Sequence, residues 1–234
     1  MQWLKIKIKL SFRFYLAFLS VVFIHQNGVS QIKNQYRLYY FGDFPAQKKS
    51  SFSFGSGVHS MPSDQWLRME MRTMHEFSLT SNLKFGLGQR SNFSRQEGGF
   101  KRYELRPFQN LTYTQNLGDG WKFIHRLMME ERAFIDKGEE NTLHGRLRYR
   151  LDANISLSSM KKFYLRPMSE MFFTFADNRC HYWSQWKNTL AFGTSLCDNI
   201  MLECRYEYML NSDESLVALD QPLQGFRLQL VQRF

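Results

Sequence analysis

Residues 146–157 alternate strictly between polar and apolar side chains, and this stretch constrains the fold more than any other part of the sequence. The even positions hold Arg146, Arg148, Arg150, Asp152, Asn154 and Ser156, whereas the odd positions hold Leu147, Tyr149, Leu151, Ala153, Ile155 and Leu157. Successive side chains of a β-strand point to opposite faces, so the pattern predicts a two-faced strand. Its twelve residues exceed the usual soluble strand of about five or six. The length favours a tilted strand that crosses a bilayer, which needs about nine to eleven residues.

The same two-residue period recurs through the rest of the chain. It predicts candidate strands at 35–43, 51–59, 66–77, 83–93, 100–115, 121–134, 143–157, 162–175, 185–196, 199–210 and 223–234. No run after residue 30 approaches the roughly eighteen apolar residues of a transmembrane helix. Barrel strands average out as hydrophilic, and the mean hydropathy is −0.45. Because 16% of residues are aromatic, we favour a lipid-facing surface.

The joins between candidate strands differ in length. Residues 117–120, 158–161 and 197–198 form tight turns, whereas 136–142, 176–184 and 211–222 are longer and polar. Bacterial outer-membrane barrels have short periplasmic turns, long outer loops and an even number of strands. We therefore predict an all-β, antiparallel up-and-down transmembrane β-barrel of 12 strands over residues 31–234. Ten strands is the alternative, with 35–43 as a non-spanning arm.

The first thirty residues have the features of a secretory signal peptide. Basic residues at Lys5, Lys7, Lys9 and Arg13 precede the apolar run 14–24, and small residues follow at 28–30. An apolar run of this length is short for a membrane span. We predict cleavage near Ser30 and location in the outer membrane of a Gram-negative bacterium. Export also argues against nucleic acid as the partner of this basic chain, whose formal net charge is +10.

Four segments resemble a known family. They are 104–111 (ELRPFQNL), 126–132 (RLMMEER), 146–150 (RLRYR) and 170–173 (EMFF), in that order. Together they resemble an uncharacterised outer-membrane β-barrel family, domain of unknown function 2490, over about residues 66–234, with a looser N-terminal third. The resemblance implies a barrel and an exported location, and it implies no activity.

With polar faces placed inward, charged side chains of most strands meet in the lumen. The predicted lumen charge network contains Arg68, Glu70, Arg72, Glu104, Arg106, Arg126, Glu130, Arg132, Arg146, Arg148, Arg150, Arg166, Glu170, Glu203, Arg205 and Glu207, with Arg227 beside it. A barrel of ten to twelve strands has a narrow lumen, and Arg pairs bidentately with carboxylates. We expect Glu130 and Glu170 to lie among Arg126, Arg132, Arg148 and Arg166 and to plug the lumen.

Three functions remain open at this stage. The first is a structural or binding barrel of unknown substrate with a plugged lumen; the alternatives are a membrane-embedded lipid hydrolase and a small anion-favouring pore. His144 and His181 are expected in outer loops without diagnostic spacing, so we predict no catalytic residue, metal site or cofactor. Expected partners are membrane lipids and the outer-membrane barrel assembly machinery, through the C-terminal strand ending at Phe234. The oligomeric state is left open, as is a soluble β-barrel or sandwich with inward apolar faces.

Overall fold

The computed structural model describes residues 33–47, 49–95, 101–118, 120–136, 142–157, 162–176, 179–211 and 222–234. The predicted signal peptide, residues 1–30, lies outside these ranges. Within the described residues, no helix is long and apolar enough to cross a membrane.

Eleven strands make up nearly all of the described chain. They are β1 (Lys33–Gln47), β2 (Ser50–Met61), β3 (Trp66–Ser78), β4 (Leu83–Arg95), β5 (Lys101–Gly118), β6 (Trp121–Asp136), β7 (Thr142–Ser156), β8 (Phe163–Ala176), β9 (Arg179–Cys197), β10 (Ile200–Asn211) and β11 (Leu223–Arg233). A single turn of 3₁₀ helix, Pro62–Asp64, joins β2 to β3. The predicted all-β fold is confirmed.

The strands close into one barrel. Each strand pairs antiparallel with the next in sequence, and β1 pairs in parallel with β11. This parallel seam stays in register from the pair Lys33–Leu223 to the pair Asp43–Arg233. Closure leaves neither edge strand with a row of unpaired backbone groups.

The strand count differs from both predicted values. The described residues form eleven strands rather than 12 or 10. The even-number argument assumes that the first and last strands run antiparallel, and the parallel β1–β11 pair removes that condition. The proposed non-spanning arm at 35–43 is also wrong, because β1 pairs along its length with both β11 and β2.

Several hairpins extend further than the sequence pattern predicted. His144 lies within β7, opposite Ala176 of β8, rather than in a loop. The predicted loop 176–184 is largely the start of β9, which begins at Arg179 and contains His181. The tight turn at 117–120 is confirmed, because Gly118 and Gly120 have φ angles of 82° and 81°, a region that glycine enters without steric cost.

The barrel has a polar interior and an apolar exterior. Large outward side chains remain open to the surroundings, among them Leu67, Met69, Met71, Leu127, Met129 and Leu228, which are 40–56% exposed. The largest fully buried side chains are instead polar: Glu104, Glu130, Glu203, Glu207, Asn92 and Asp152. A soluble barrel buries its apolar face, so this arrangement is the reverse of the soluble alternative.

Candidate functional site: a charged lumen

The interior of the barrel contains a continuous cavity of about 1440 Å³. Its lining reaches Lys33, Asp64 and Leu223 at the end where β1 begins. It also reaches Asp43 and Arg233 at the end where β11 finishes. The cavity therefore extends between the two ends of the barrel.

The structure places the predicted charge network on the inner face. Twelve of its members line the cavity: Arg68, Glu70, Arg72, Arg106, Arg126, Arg132, Arg146, Arg148, Arg150, Arg166, Glu170 and Arg205. The other four, Glu104, Glu130, Glu203 and Glu207, lie beneath the lining and are at most 1% exposed. Most carboxylates are thus covered by the arginines that they bind.

The longest run of ion pairs crosses four strands. Glu130 on β6 accepts hydrogen bonds from Arg146 at 2.7 Å and from Arg148 at 2.6 Å, both on β7. Arg148 also donates to Glu170 on β8 at 2.6 Å. Glu170 lies 3.0 Å from the Nζ of Lys187 on β9. These five alternating charges hold neighbouring strands together along the wall.

The other buried carboxylates form smaller groups. Glu104 accepts from Arg132 of β6 at 2.7 Å and contacts Arg106 of its own strand at 2.5 Å. Glu203 binds Arg166, Arg205 and the Tyr164 hydroxyl; Glu207 binds Arg37; Asp152 binds Arg150.

The prediction that Glu130 and Glu170 lie among Arg126, Arg132, Arg148 and Arg166 is correct only for Arg148, since Arg132 and Arg166 bind other carboxylates.

Some lumen arginines have no carboxylate within ion-pair distance among the described residues. Their guanidinium groups lie over aromatic rings instead, in the pairs Arg227–Tyr39 at 3.9 Å, Arg68–Trp66 at 4.7 Å and Arg72–Phe108 at 5.1 Å. Arg126 has neither an ion pair nor a side-chain hydrogen bond within the same part of the chain. Cation–π contacts stabilise a cation without neutralising its charge.

Arginines also lie directly opposite one another on adjacent strands. One row joins Arg72, Arg90 and Arg106 across β3, β4 and β5. Arg126 of β6 faces Arg150 of β7 in the same way. Like charges in such positions repel each other and destabilise a sheet. The rows concentrate positive charge inside the barrel.

Sequence reasoning missed several lumen residues. Arg37 on β1, Arg90 on β4 and Lys187 on β9 also line the cavity. The two-residue period contains the signal for Arg37 and Arg90. Glycines and serines around Arg90 obscured which face was polar, and on β1 the face of Arg37 also holds Tyr39 and Phe41.

Inward aromatic residues were missed for another reason. Tyr39, Phe108 and Tyr164 each occupy the space beside an inward glycine of a neighbouring strand, in the pairs Gly57–Tyr39, Gly88–Phe108 and Gly193–Tyr164; a Cβ at any of these glycines would overlap the ring. Gly88 thus provides room for Phe108. This complementarity depends on cross-strand register, which a single strand does not reveal.

Histidines do not assemble a recognisable catalytic group in the described part of the barrel. His144 packs edge-on against Phe134, with ring centroids 5.6 Å apart, and the side chain of His181 lies outside the described residues. His59 hydrogen-bonds the Tyr39 hydroxyl and lies 3.7 Å from Glu70. No group of three His, Cys, Asp or Glu side chains among the described residues has metal-binding geometry.

Comparison with known proteins identifies the family. Residues 31–217 match the family described as "Protein of unknown function (DUF2490)". The chain belongs to this family. The predicted resemblance is confirmed, and the match includes the N-terminal third that resembled the family only loosely. The DUF2490 match spans β1 to β10 of the barrel.

Two other comparisons give little further information about this DUF2490 protein. No curated protein sequence matches it. Among solved structures, a chain described as the NanC porin in a rhombohedral crystal form is 14% identical. The alignment covers 75% of the present chain and 87% of the porin chain, with a TM-score of 0.48.

Proposed function

We propose that the protein is an outer-membrane β-barrel whose lumen is open to water and favours anions. Its outward face supports the membrane location. Exposed apolar side chains occur on opposite sides of the barrel, for example Met69 on β3 and Phe192 on β9. In water such a surface is unfavourable, whereas in hydrocarbon it is matched to its surroundings. The predicted signal peptide supports export.

The composition of the lumen wall carries the anion preference. Among the described residues, fifteen arginines and two lysines line the cavity, but only four carboxylates do. Glu104, Glu130 and Glu203 lie behind their arginine partners and are 0–1% exposed. A solute in the cavity therefore meets guanidinium groups first. A channel lined by one sign of charge raises the local concentration of the opposite ion.

The cavity favours an open lumen over the plug predicted from sequence. The ion pairs from Arg146 to Lys187 run along the wall between neighbouring strands. The cavity of about 1440 Å³ remains beside them. Barrels between the small eight-stranded and the large sixteen-stranded classes have room for such a space. The lipid hydrolase remains a prediction without a supporting group among the described residues.

Orientation and partners follow from the same proposal. The end of the barrel with the tight turns, including Gly118 and Gly120, faces the periplasm in this arrangement. Membrane lipids then contact the outer surface. Recognition of the strand ending at Phe234 by the barrel assembly machinery remains a prediction.

Planar-bilayer recording tests the proposed function. Under a KCl gradient across a bilayer that contains the refolded protein, the reversal potential should lie closer to the equilibrium potential of chloride than to that of potassium. Arg227→Gln removes a lumen charge that has no ion pair in the described chain and should lower the chloride preference. Arg95→Gln removes an exposed charge outside the lumen and should leave it unchanged. A silent barrel would overturn the proposal and favour the plug, whereas a conducting barrel that prefers potassium would overturn the anion preference.

A further inference from the structure

A row of arginines crosses the inner wall of the barrel from β8 through β9, β10, β11, β1, β2, β3 and β4 to β5. Cross-strand pairing places one residue of each strand directly opposite the next, in the order Arg166, Ala191, Arg205, Arg227, Arg37, His59, Arg68, Ser94 and Arg102. We call the arginines of this set the arginine row. From β8 to β5 the set contains no carboxylate.

The arginine row runs from one end of the barrel to the other. Arg166 lies near the start of β8, at the end with the tight turns, where Ser156 of β7 donates a backbone hydrogen bond to Gly120. Arg102 is the second residue of β5, which finishes at that end and therefore begins at the opposite one. Barrel strands tilt by about 35–45°, so a row that crosses them at right angles spirals along the lumen.

The arginine row faces the cavity. All of its members line the cavity and remain partly exposed. Arg205, Arg227 and Arg37 occupy three adjacent strands, which lie about 4.8 Å apart. A solute that follows the wall therefore meets guanidinium groups at short, regular intervals.

The carboxylates that compensate the row lie behind it. Glu203 binds Arg166 and Arg205, and Glu207 binds Arg37. Both carboxylates are at most 1% exposed. The remaining members Arg68 and Arg227 have no carboxylate within ion-pair distance in the described chain. The row thus presents more positive than negative charge to the lumen.

Aromatic rings accompany the arginine row along the cavity. The guanidinium groups lie over rings in the pairs Arg227–Tyr39 at 3.9 Å, Arg68–Trp66 at 4.7 Å and Arg166–Tyr164 at 5.7 Å. All three rings line the cavity. Rings and cations together suit a ligand that has apolar faces as well as negative charges. A sugar ring with a carboxylate has both, whereas a phosphate has only the charge.

We propose that the arginine row binds an unbranched acidic oligosaccharide with one carboxylate on each sugar unit, which deepens the proposed function and rests on it. Like charges on adjacent strands repel each other, and a chain of carboxylates offsets several of them at once. Arginine binds carboxylates in bidentate pairs. After the first contact, further contacts are intramolecular and raise the affinity. The narrow lumen of such a barrel favours an unbranched chain.

Isothermal titration of the folded barrel in detergent micelles tests the arginine row. The probes are mannuronate and its linear dimer, tetramer and hexamer. Affinity should rise with chain length, by about tenfold or more from the monomer to the hexamer. The neutral hexamer of mannose has a comparable chain without carboxylates and should not bind.

Glutamine variants identify the arginines that make the contacts. Arg68→Gln and Arg227→Gln should each weaken hexamer binding about tenfold, because each removes a charged hydrogen-bonding partner. Arg126→Gln is the matched control, since Arg126 lines the cavity outside the row and should change the affinity about twofold or less. None of the three arginines has a carboxylate within ion-pair distance in the described chain. Their variants should therefore keep the heat-modifiable gel mobility of the folded barrel.

The Trp66→Leu variant tests the sugar class. It should weaken binding of the mannuronate hexamer several-fold and leave binding of linear polyphosphate unchanged, because polyphosphate has no sugar ring. Equal losses for the two probes would overturn this class. Hexamer binding no tighter than monomer binding, or equal losses in Arg126→Gln and the row variants, would overturn the row even in a chloride-selective barrel. Tight, row-dependent binding to a barrel without chloride selectivity would overturn the proposed function instead.

Discussion

Neutralising Glu130 should destabilise the barrel, and the ion pairs determine by how much. Its carboxylate is 1% exposed and contacts Arg146 at 2.5 Å and Arg148 at 2.6 Å, whose side chains are each 10% exposed. In Glu130→Gln, the Arg146 guanidinium loses its charge partner, whereas Arg148 retains Glu170. Removing one partner of a buried ion pair costs on the order of 3–5 kcal/mol. Because Arg148 remains paired and the lumen contains space for water, we expect about 3 kcal/mol.

Urea unfolding of the protein refolded in lipid vesicles, followed by tryptophan fluorescence, measures this cost. Glu131→Gln is the matched control, since Glu131 is the next residue on β6 and is exposed on the outer side. It makes the same chemical change without touching the Arg146–Lys187 run, and it should cost less than about 0.5 kcal/mol. Equal free energies of unfolding for the two variants would refute the claim that these ion pairs stabilise the wall.

Two further substitutions test the faces and the packing of the barrel. Leu127→Arg places a charge on the outward face, where Leu127 is 46% exposed. If that face contacts hydrocarbon, the substitution should lower the free energy of unfolding in lipid vesicles by about 2–4 kcal/mol. The control Leu127→Met should be nearly neutral, and equal costs for the two variants would contradict the membrane location. Gly88→Val should cost about 1–3 kcal/mol of unfolding free energy by overpacking, because a side chain there meets the Phe108 ring and the Thr73 carbonyl oxygen. Gly145→Ala is the control, since the atom nearest to the added Cβ is 3.6 Å away. Equal unfolding midpoints for the two variants would contradict the packing argument.

The two-residue period predicted which side chains face inward because that property is local to each strand. Arg68, Glu70 and Arg72 alternate with Leu67, Met69 and Met71, and the structure separates them in that way. Some ion pairs could also be read from one strand: Glu104–Arg106 and Glu203–Arg205 are two residues apart on the same face.

Other features depend on how strands pair, and the sequence of one strand does not contain that information. Glu130 binds Arg146 and Arg148 because β6 and β7 meet in one particular register. The eleven-strand count depends on the parallel β1–β11 seam, which an argument based on antiparallel hairpins does not anticipate. The glycine–aromatic pairs, such as Gly193 with Tyr164, require the same cross-strand information.

Charge-selective chemical modification inside the barrel tests the central claim most directly. In a variant with Cys180, Cys197 and Cys204 replaced by Ser, Met74→Cys places one thiol on the cavity lining. A second variant retains only Cys197, which is exposed at a turn, as the reference. After normalisation to Cys197, a negatively charged methanethiosulfonate reagent should modify the thiol at position 74 about tenfold or more faster than a positively charged one. Faster reaction with the cationic reagent, or no reaction with either, would contradict an open and positively charged lumen.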